Sequence, residues 1–197
     1  MTQLKVSLLL SLSISLTLYS NGQTEKPEQQ FQKYYEQLKS LKIDTFIIIK
    51  SGCIGCEVKY PDTFKSIVDG QTIYVLTQKN GLFKFAIFDG IHNPLFYTAD
   101  TCSLFETLDY NKSLLKQKDT FYIKELTELR KSKFFPPQPI HYSYKDLSIQ
   151  TPNFKYHFIV TGEDSDYLGI VRENEKWFQA TKNIIEEFYK HLKAIKD

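Results

Sequence analysis

The sequence has little of what several classes of protein function require. Its 197 residues include one Trp, one Met and three Cys, and its 25 Lys and Arg nearly balance its 23 Asp and Glu. The lysines are scattered along the chain rather than clustered. Because recognition of nucleic-acid phosphates needs clustered cations, we expect no nucleic acid as a partner. The expected partner is instead an unknown protein or a small ligand.

The sequence also lacks the motifs of common enzymes. It contains no glycine-rich phosphate loop, dinucleotide-binding fingerprint, zinc-protease helix or nucleophile elbow. His141, His157 and Asp146 could form an acid–base set across a predicted hairpin, although a histidine on a strand more often has a surface or structural role. We therefore predict no cofactor and favour a non-enzymatic protein.

The first residues have the pattern of an export signal. Lys5 is followed by Val6–Leu18, an uncharged run of 13 residues that includes several serines. A helix that spans a bilayer needs about 20 predominantly apolar residues, so a retained anchor is the weaker interpretation. We expect cleavage after Gly22, with Ser20 as the alternative site.

Removal of this signal sets the expected domain organisation. We predict that residues 1–22 are a signal peptide and that residues 23–197 form a single globular domain. Only Lys5 is charged in the removed segment, so the formal net charge falls from +2 to +1. After export to the periplasm or the extracellular space, the protein is expected to be soluble, without stable insertion into a membrane.

Amphipathic helices are predicted at both ends of the remaining chain. Apolar residues at three- and four-residue spacing predict one helix over about residues 27–41. A broad apolar stripe from Trp177 to Ile195 predicts the other. Residues 56–68 favour a short helix, and residues 90–135 are expected to be mostly helical.

Apolar and alternating runs predict strands between these helices. Asn80-Gly81 is the dipeptide that a type I′ hairpin turn prefers, so the runs on either side of it should pair antiparallel. A second hairpin is predicted around Thr151-Pro152-Asn153. The predicted strands are Phe46–Lys50, Ile73–Lys79, Leu82–Phe88, Tyr142–Ile149, Phe154–Val160 and Tyr167–Val171. We therefore predict an α+β fold, in which the terminal helices pack on an antiparallel sheet made of hairpins and one buried strand.

The three cysteines allow several interpretations. In an exported protein a disulfide is the default expectation, and we favour a structural bond between Cys53 and Cys56. Alternatively, one of these two residues bonds Cys102 and leaves a free thiol. The three thiols with His92 have the ligand types of a zinc site, but an oxidising compartment favours the disulfide, so we predict no metal.

The segment Phe46–Pro61 resembles the active-site region of thioredoxin-like proteins. A buried strand precedes Cys53-Ile54-Gly55-Cys56, and Pro61 matches the proline that kinks the helix after the motif. The resemblance implies a thiol-disulfide oxidoreductase, with Cys53 as the attacking thiolate at a helix N-terminus and Cys56 as the resolving thiol. It also implies that Pro94 faces the disulfide.

The same segment departs from the thioredoxin pattern. Gly52 stands where thioredoxins usually carry Trp, and Ile54-Gly55 replaces the usual pair between the cysteines. The Asn80-Gly81 hairpin follows, whereas the thioredoxin fold has a parallel crossover strand there. A divergent thioredoxin-like α/β fold with redox activity is therefore the alternative prediction.

As a whole, the chain resembles small exported bacterial proteins of unknown function. The residues that carry this resemblance are a Ser-Gly-Cys-x-x-Cys segment at Ser51–Cys56 and an aromatic hairpin at Tyr74–Gly81. It implies no activity. The favoured interpretation is thus a non-enzymatic protein that binds a partner through an aromatic-rich surface.

Overall fold

The computed structural model describes residues 25–54, 71–119, 142–162 and 175–196. The predicted signal peptide, the predicted helix over residues 56–68 and the predicted strand Tyr167–Val171 lie outside these residues. The described elements are α1 (Pro27–Ser40), β1 (Phe46–Ile54), β2 (Thr72–Lys79), β3 (Leu82–Phe88), β4 (Leu95–Ala99), α2 (Leu104–Leu115), β5 (Tyr142–Thr151), β6 (Phe154–Gly162) and α3 (Lys176–Lys196).

The six strands form one sheet in the order β4-β3-β2-β1-β5-β6. Every neighbouring pair is antiparallel. The predicted α+β fold is therefore confirmed. The thioredoxin-like alternative is wrong for the described strands, because β1, which would be its central strand, is antiparallel to both of its neighbours.

Both predicted hairpins are present. Asn80 has a φ of 52° and Gly81 a φ of 79°, the two positive values that a type I′ turn requires. This turn sets Leu76 opposite Phe85, so that their side chains share one face of the sheet. The second hairpin joins β5 to β6 through the predicted Pro152-Asn153 turn.

The two faces of the sheet have different helices on them. We call them the α2/α3 face and the α1 face. The α2/α3 face carries the larger core, to which β1, β2, β3, β5 and β6 all contribute apolar residues. On the α1 face, a smaller core joins Phe31, Tyr34 and Leu38 of α1 to apolar residues of β1, β2 and β3.

Strands β5 and β6 end two residues later than predicted, at Thr151 and Gly162, and two other segments need larger corrections. The strand predicted as Phe46–Lys50 continues to Ile54, because β5 is long enough to pair with it as far as Tyr142. In the region 90–135, expected to be mostly helical, α2 forms but Leu95–Ala99 is a strand, and residues 120–135 lie outside the described residues. This short edge strand has no apolar alternation that would distinguish it in the sequence. It pairs with β3, and its Phe96 packs against Tyr34 of α1.

Candidate binding groove

The α1 helix covers only part of its face of the sheet. Because side chains of a strand alternate between faces, Leu147 and Ile149 of β5 point into the α2/α3 core, and their neighbours point to the α1 face. Those neighbours are polar on β5 and mostly polar on β6. On this half of the α1 face the residues are Asp146, Ser148, Gln150, Lys155, His157 and Ile159. No described element covers them.

A groove lies between α1 and this polar half. Its volume is about 580 Å³, within the range of small-molecule sites. Phe31, Gln32 and Tyr35 of α1 form one wall, and the floor includes Ser148 and Gln150 of β5. The residues that follow α2 line the far side, next to edge strand β6, together with four residues of the α2/α3 core: Leu115, Ile149, Phe154 and Tyr156. The groove therefore combines an aromatic wall with a polar floor.

Positive charge dominates the lining of the groove. Among the described residues, the lining includes one carboxylate, that of Asp119, whose Oδ1 lies 3.4 Å from the Nζ of Lys118. The cationic side chains are four lysines, and a histidine lies among them. They are Lys50, Lys116, Lys118, Lys155 and His157.

Lys118 fixes the border of the groove. Its Nζ donates a hydrogen bond of 2.8 Å to the carbonyl oxygen of His157, on β6, and lies 5.1 Å from the centre of the Tyr156 ring. A lysine in this position covers a backbone acceptor of an edge strand. Lys118 thus joins the segment after α2 to the sheet, and its charge is largely used in the fold.

Asp146 and His157, two members of the predicted acid–base set, do come together. His157 Nε2 lies 2.8 Å from Asp146 Oδ1. The side chain of His157 is 60% exposed and that of Asp146 is 21% exposed. His141 lies outside the described residues. Ser148 is directly opposite His157 in the register, but among the described residues no hydrogen bond joins the two side chains. Among the described residues, the Asp146–His157 pair therefore does not activate Ser148 as a nucleophile.

The position of Cys53 differs from the one that the thioredoxin resemblance implies. Cys53 is half-buried on β1, opposite Ser143 of β5, so it is a strand residue and not the first residue of a helix. Among the described residues, no helix begins at Cys53 whose amides would stabilise a thiolate. Cys56 lies outside the described residues, and the bond between the two cysteines stays a prediction.

The other residues named with the cysteines lie elsewhere. Pro94 directly precedes β4, three strand positions from β1, which places it roughly 14 Å or more from Cys53. It therefore does not face the motif. His92 Nδ1 binds Asp89 Oδ2 at 2.8 Å. Within the described part of the chain, no three His, Cys, Asp or Glu side chains group as metal ligands.

Cys102 is a free thiol, which corrects the alternative that it forms a disulfide. It belongs to the core of the α2/α3 face. Burial raises the pKa of its thiol, so it is a poor nucleophile at neutral pH. Its role in the described structure is that of a small core residue.

The structure explains why position 52 is occupied by glycine, which the sequence did not show. It is paired with Tyr144 of β5, whose ring lies against it, and a Cβ at position 52 would come within 2.9 Å of Tyr144 Oη. Gln71 Nε2 donates a hydrogen bond of 2.9 Å to that oxygen. The glycine that departs from the thioredoxin pattern thus makes room for a cross-strand tyrosine on the α1 face.

Comparison with known proteins does not identify the groove. No protein-family model matches the chain, and no curated protein is significantly similar to it. Among the described helices, none has both the length and the apolar character needed to cross a bilayer. The site therefore has to be interpreted from its own residues.

The groove residues were not predicted as a site. The strict alternation in β5, with Leu147 and Ile149 apolar and their neighbours polar, does predict one exposed face. It does not predict which helix borders that face, since this depends on where α1 packs. The aromatic residues expected on the surface are mostly buried in the described chain, and Tyr35 is one of those that remain half-buried beside the groove.

Proposed function

We propose that the protein is a non-enzymatic binding protein that holds a small ligand in the groove between α1 and the β5–β6 hairpin. The proposal includes export from the cytoplasm and a structural disulfide between Cys53 and Cys56. The observation that carries it is the incomplete cover of the α1 face by the described helices, which leaves a concave surface with aromatic and charged groups in one place.

The proposed disulfide is supported by the free cysteine. Cys102 is free and buried, so it is not the partner of either other cysteine. A bond between Cys53 and Cys56 closes a very short loop, and its entropic stabilisation is modest. We therefore assign it a local role at the end of β1. The number of alkylated cysteines in the unfolded protein should rise by two after reduction. An unchanged number would contradict the bond.

Thiol-disulfide exchange has less support than binding. Its mechanism needs a low pKa for the attacking thiol, which neighbouring cations or a helix N-terminus provide. Cys53 is instead a strand residue paired with β5. We expect the Cys53→Ser variant to bind ligand as the parent protein does. We also expect the parent protein to show no disulfide reductase activity.

Two fluorescent probes test the binding proposal. N-phenyl-1-naphthylamine is neutral, and 1-anilinonaphthalene-8-sulfonate has a similar aromatic body with a negative charge. We expect saturable binding of at least one probe to the purified protein, measured by equilibrium dialysis and fluorescence. Ser148→Trp, which fills the floor of the groove, should weaken that binding at least tenfold.

The matched control is Thr98→Trp, since Thr98 is an exposed strand residue on the same face but outside the groove. This variant should bind the probes as the parent protein does. Circular dichroism of both variants checks that the fold is retained. Absence of saturable binding of either probe, or equal binding by the Ser148→Trp protein, would contradict the proposed function.

A further inference from the structure

We infer that the groove binds an amphipathic organic anion, whose negative group lies at Lys116 and Lys155 and whose apolar body lies along Tyr35 and Phe31. This inference rests on the proposed function and adds the chemical class of the ligand. It follows from the distribution of charge, from the aromatic wall and from the register of the strands that form the floor.

Three lysines of the groove keep their charge available. Lys118 is engaged with Asp119 and with a backbone carbonyl. In contrast, Lys50, Lys116 and Lys155 form no ion pair with any carboxylate of the described chain. Unpaired cations beside a concave surface with apolar walls attract anions more strongly than cations on an open, flat surface.

The local carboxylate that could neutralise Lys50 is engaged elsewhere. Asp146 is the residue directly opposite Lys50 in the β1–β5 register, a position from which opposite charges commonly interact. Its carboxylate binds His157 instead. Lys50 Nζ lies 5.7 Å from the centre of the Phe31 ring, so the lysine extends toward the groove wall.

The aromatic wall fits an apolar body. The rings of Phe31 and Tyr35 stack with centroids 5.7 Å apart, and Tyr35 meets Phe46 edge-on at 5.8 Å. Phe31 and Phe46 belong to the core, whereas Tyr35 is half-buried and borders the groove. A ligand that covers these rings removes apolar surface from water, which a small inorganic anion does not do.

The register places the negative group at one end of this wall. Phe46, Gln150 and Lys155 lie on one level of the sheet, and Tyr35 contacts Phe46 on that level. Lys50 lies four residues along the strands and two strands away, roughly 17 Å from Lys155 between Cα atoms. Lys155 is therefore on the same level as the Tyr35 end of the wall, about 10 Å from Phe46 between Cα atoms. A ligand with its anionic group there has its body running along Tyr35 toward Phe31 and Lys50.

The number of cations limits the size of the charged group. A nucleic acid or another extended polyanion gains affinity from many phosphate contacts along its length. Three available lysines around about 580 Å³ fit a molecule with one carboxylate, sulfonate or phosphate group. The ligand is therefore a small molecule with one charged end and one apolar end.

The two probes used above test this class directly, because they differ by one sulfonate. We expect the purified protein to bind the anionic probe at least fivefold more tightly than the neutral one. The Lys116→Gln/Lys155→Gln protein should bind the anionic probe at least tenfold more weakly than the parent. Its affinity for the neutral probe should stay within twofold of the parent value.

Two controls complete the test. Lys193→Gln changes an exposed lysine on α3, outside the groove, and should leave both affinities unchanged. Inorganic phosphate at millimolar concentration should not displace the anionic probe, whereas dodecanoate, with a carboxylate on an apolar chain, should displace it.

The outcomes separate this inference from the function on which it rests. Equal affinities for the two probes, both lost in Ser148→Trp, would overturn the anionic class and leave the binding function standing. Displacement of the anionic probe by inorganic phosphate but not by dodecanoate would overturn the proposal that the ligand is amphipathic. Binding of neither probe would overturn the inference and the proposed function together.

Discussion

The two faces of the sheet differ in how completely they are covered. On the α2/α3 face, five strands contribute to one apolar core. On the α1 face, an apolar half over β1–β3 lies beside a polar half over β5–β6. The same strands build both surfaces, so the difference comes from alternate residues along them and from the helices that lie on each side.

The direction of the helices explains this difference. In α3, which has 21 residues, Trp177 contacts Phe158 of β6 and Phe188 contacts Phe85 of β3, so the helix crosses the sheet. In α1, which has 14 residues, Tyr35 contacts Phe46 of β1 and Tyr34 contacts Phe88 of β3. The ring contacts of α1 with the sheet lie between β1 and β4. A helix placed in this way leaves β5 and β6 for another use.

The largest expected effect on the free energy of unfolding comes from truncating one Phe in each of the two cores. Phe188 of α3 is 0% exposed, whereas Phe31 of α1 is 8% exposed and borders the groove. Replacing a fully buried Phe with Ala removes burial and leaves a cavity, at a cost of about 3–5 kcal/mol. We expect Phe188→Ala to fall in this range and Phe31→Ala to cost about 2 kcal/mol, because Phe31 can be rehydrated. Urea unfolding measures both.

The control for this comparison is Tyr110→Ala, since Tyr110 is 83% exposed on α2. Its effect should be within about 0.5 kcal/mol. A larger loss for Phe31→Ala than for Phe188→Ala would contradict the view that the α2/α3 face carries most of the stability.

The hydroxyl groups of Thr181 and Tyr156, buried in the core of the α2/α3 face, provide a second test of how the two cores differ. Thr181 Oγ1 donates to the carbonyl oxygen of Trp177 at 2.9 Å, so Tyr156 Oη is the donor in its 2.6 Å bond to Thr181. Burial raises the pKa of Tyr156 well above its usual value, so the phenol stays protonated. Thr181→Val should cost about 2 kcal/mol because it leaves this phenol without its partner, and Tyr156→Phe about 1 kcal/mol.

Thermal or urea unfolding of the two variants and of the double variant measures their coupling. The double variant should be no less stable than Thr181→Val alone, since removal of both hydroxyls leaves no buried donor unpaired. Additive losses would show that the two hydroxyls do not interact.

On the α1 face, Gly52 and Tyr144 provide a test of cross-strand packing. A Cβ at position 52 would meet the Tyr144 ring at 2.9–3.0 Å, and Gln71 holds that ring in place. We expect Gly52→Ala to cost about 1–2 kcal/mol through overpacking. Tyr144→Leu in the same chain should recover part of this loss, as measured by urea unfolding. Strict additivity of the two changes would contradict the contact.

The smallest expected effect depends on pH and concerns the loop under the start of α1. Burial raises the pKa of Asp89, but hydrogen bonds from His92 and from the amide of Ile91 outweigh it and hold the pKa below its usual value. The ionised form therefore stabilises the fold. This stability is present above the pKa of the unfolded chain and is lost as pH falls through the lower pKa of the folded protein.

Asp89→Asn keeps an acceptor for the two amides but removes the charge. We expect it to lower the free energy of unfolding by about 1 kcal/mol at pH 7. The difference from the parent protein should shrink as the pH is lowered below about 4. Urea unfolding at a series of pH values checks this, and a difference that does not change with pH would argue against a role for the charge.

Local patterns were sufficient to predict much of the fold. The periodicity of α1 and α3, the positive-φ turn at Asn80-Gly81 and the alternation in β5 and β6 each depend on neighbouring residues. Leu95–Ala99 could not be assigned in this way, because that strand forms by adding to the edge of β3. The extension of β1 to Ile54 likewise depends on its pairing with β5, a partner distant in sequence.

The candidate site was harder to predict than the fold. The sequence directs attention to Cys53 and Cys56, whose residue types suggest chemistry. The groove instead depends on Lys50 and Lys155, which are ordinary charged residues in the sequence and become neighbours of α1 through strand order and helix placement. Such a site arises from tertiary arrangement, so no local motif marks it.

The most direct test of the groove is a titration of the ¹⁵N-labelled protein with 1-anilinonaphthalene-8-sulfonate, followed through its amide chemical shifts. Saturable shifts should concentrate at Ser148, Gln150 and Lys155 and along the Phe31–Tyr35 side of α1, while the amides of α3 remain unchanged. Shifts centred on α3, or shifts spread over both faces without saturation, would contradict a binding groove on the uncovered half of the α1 face.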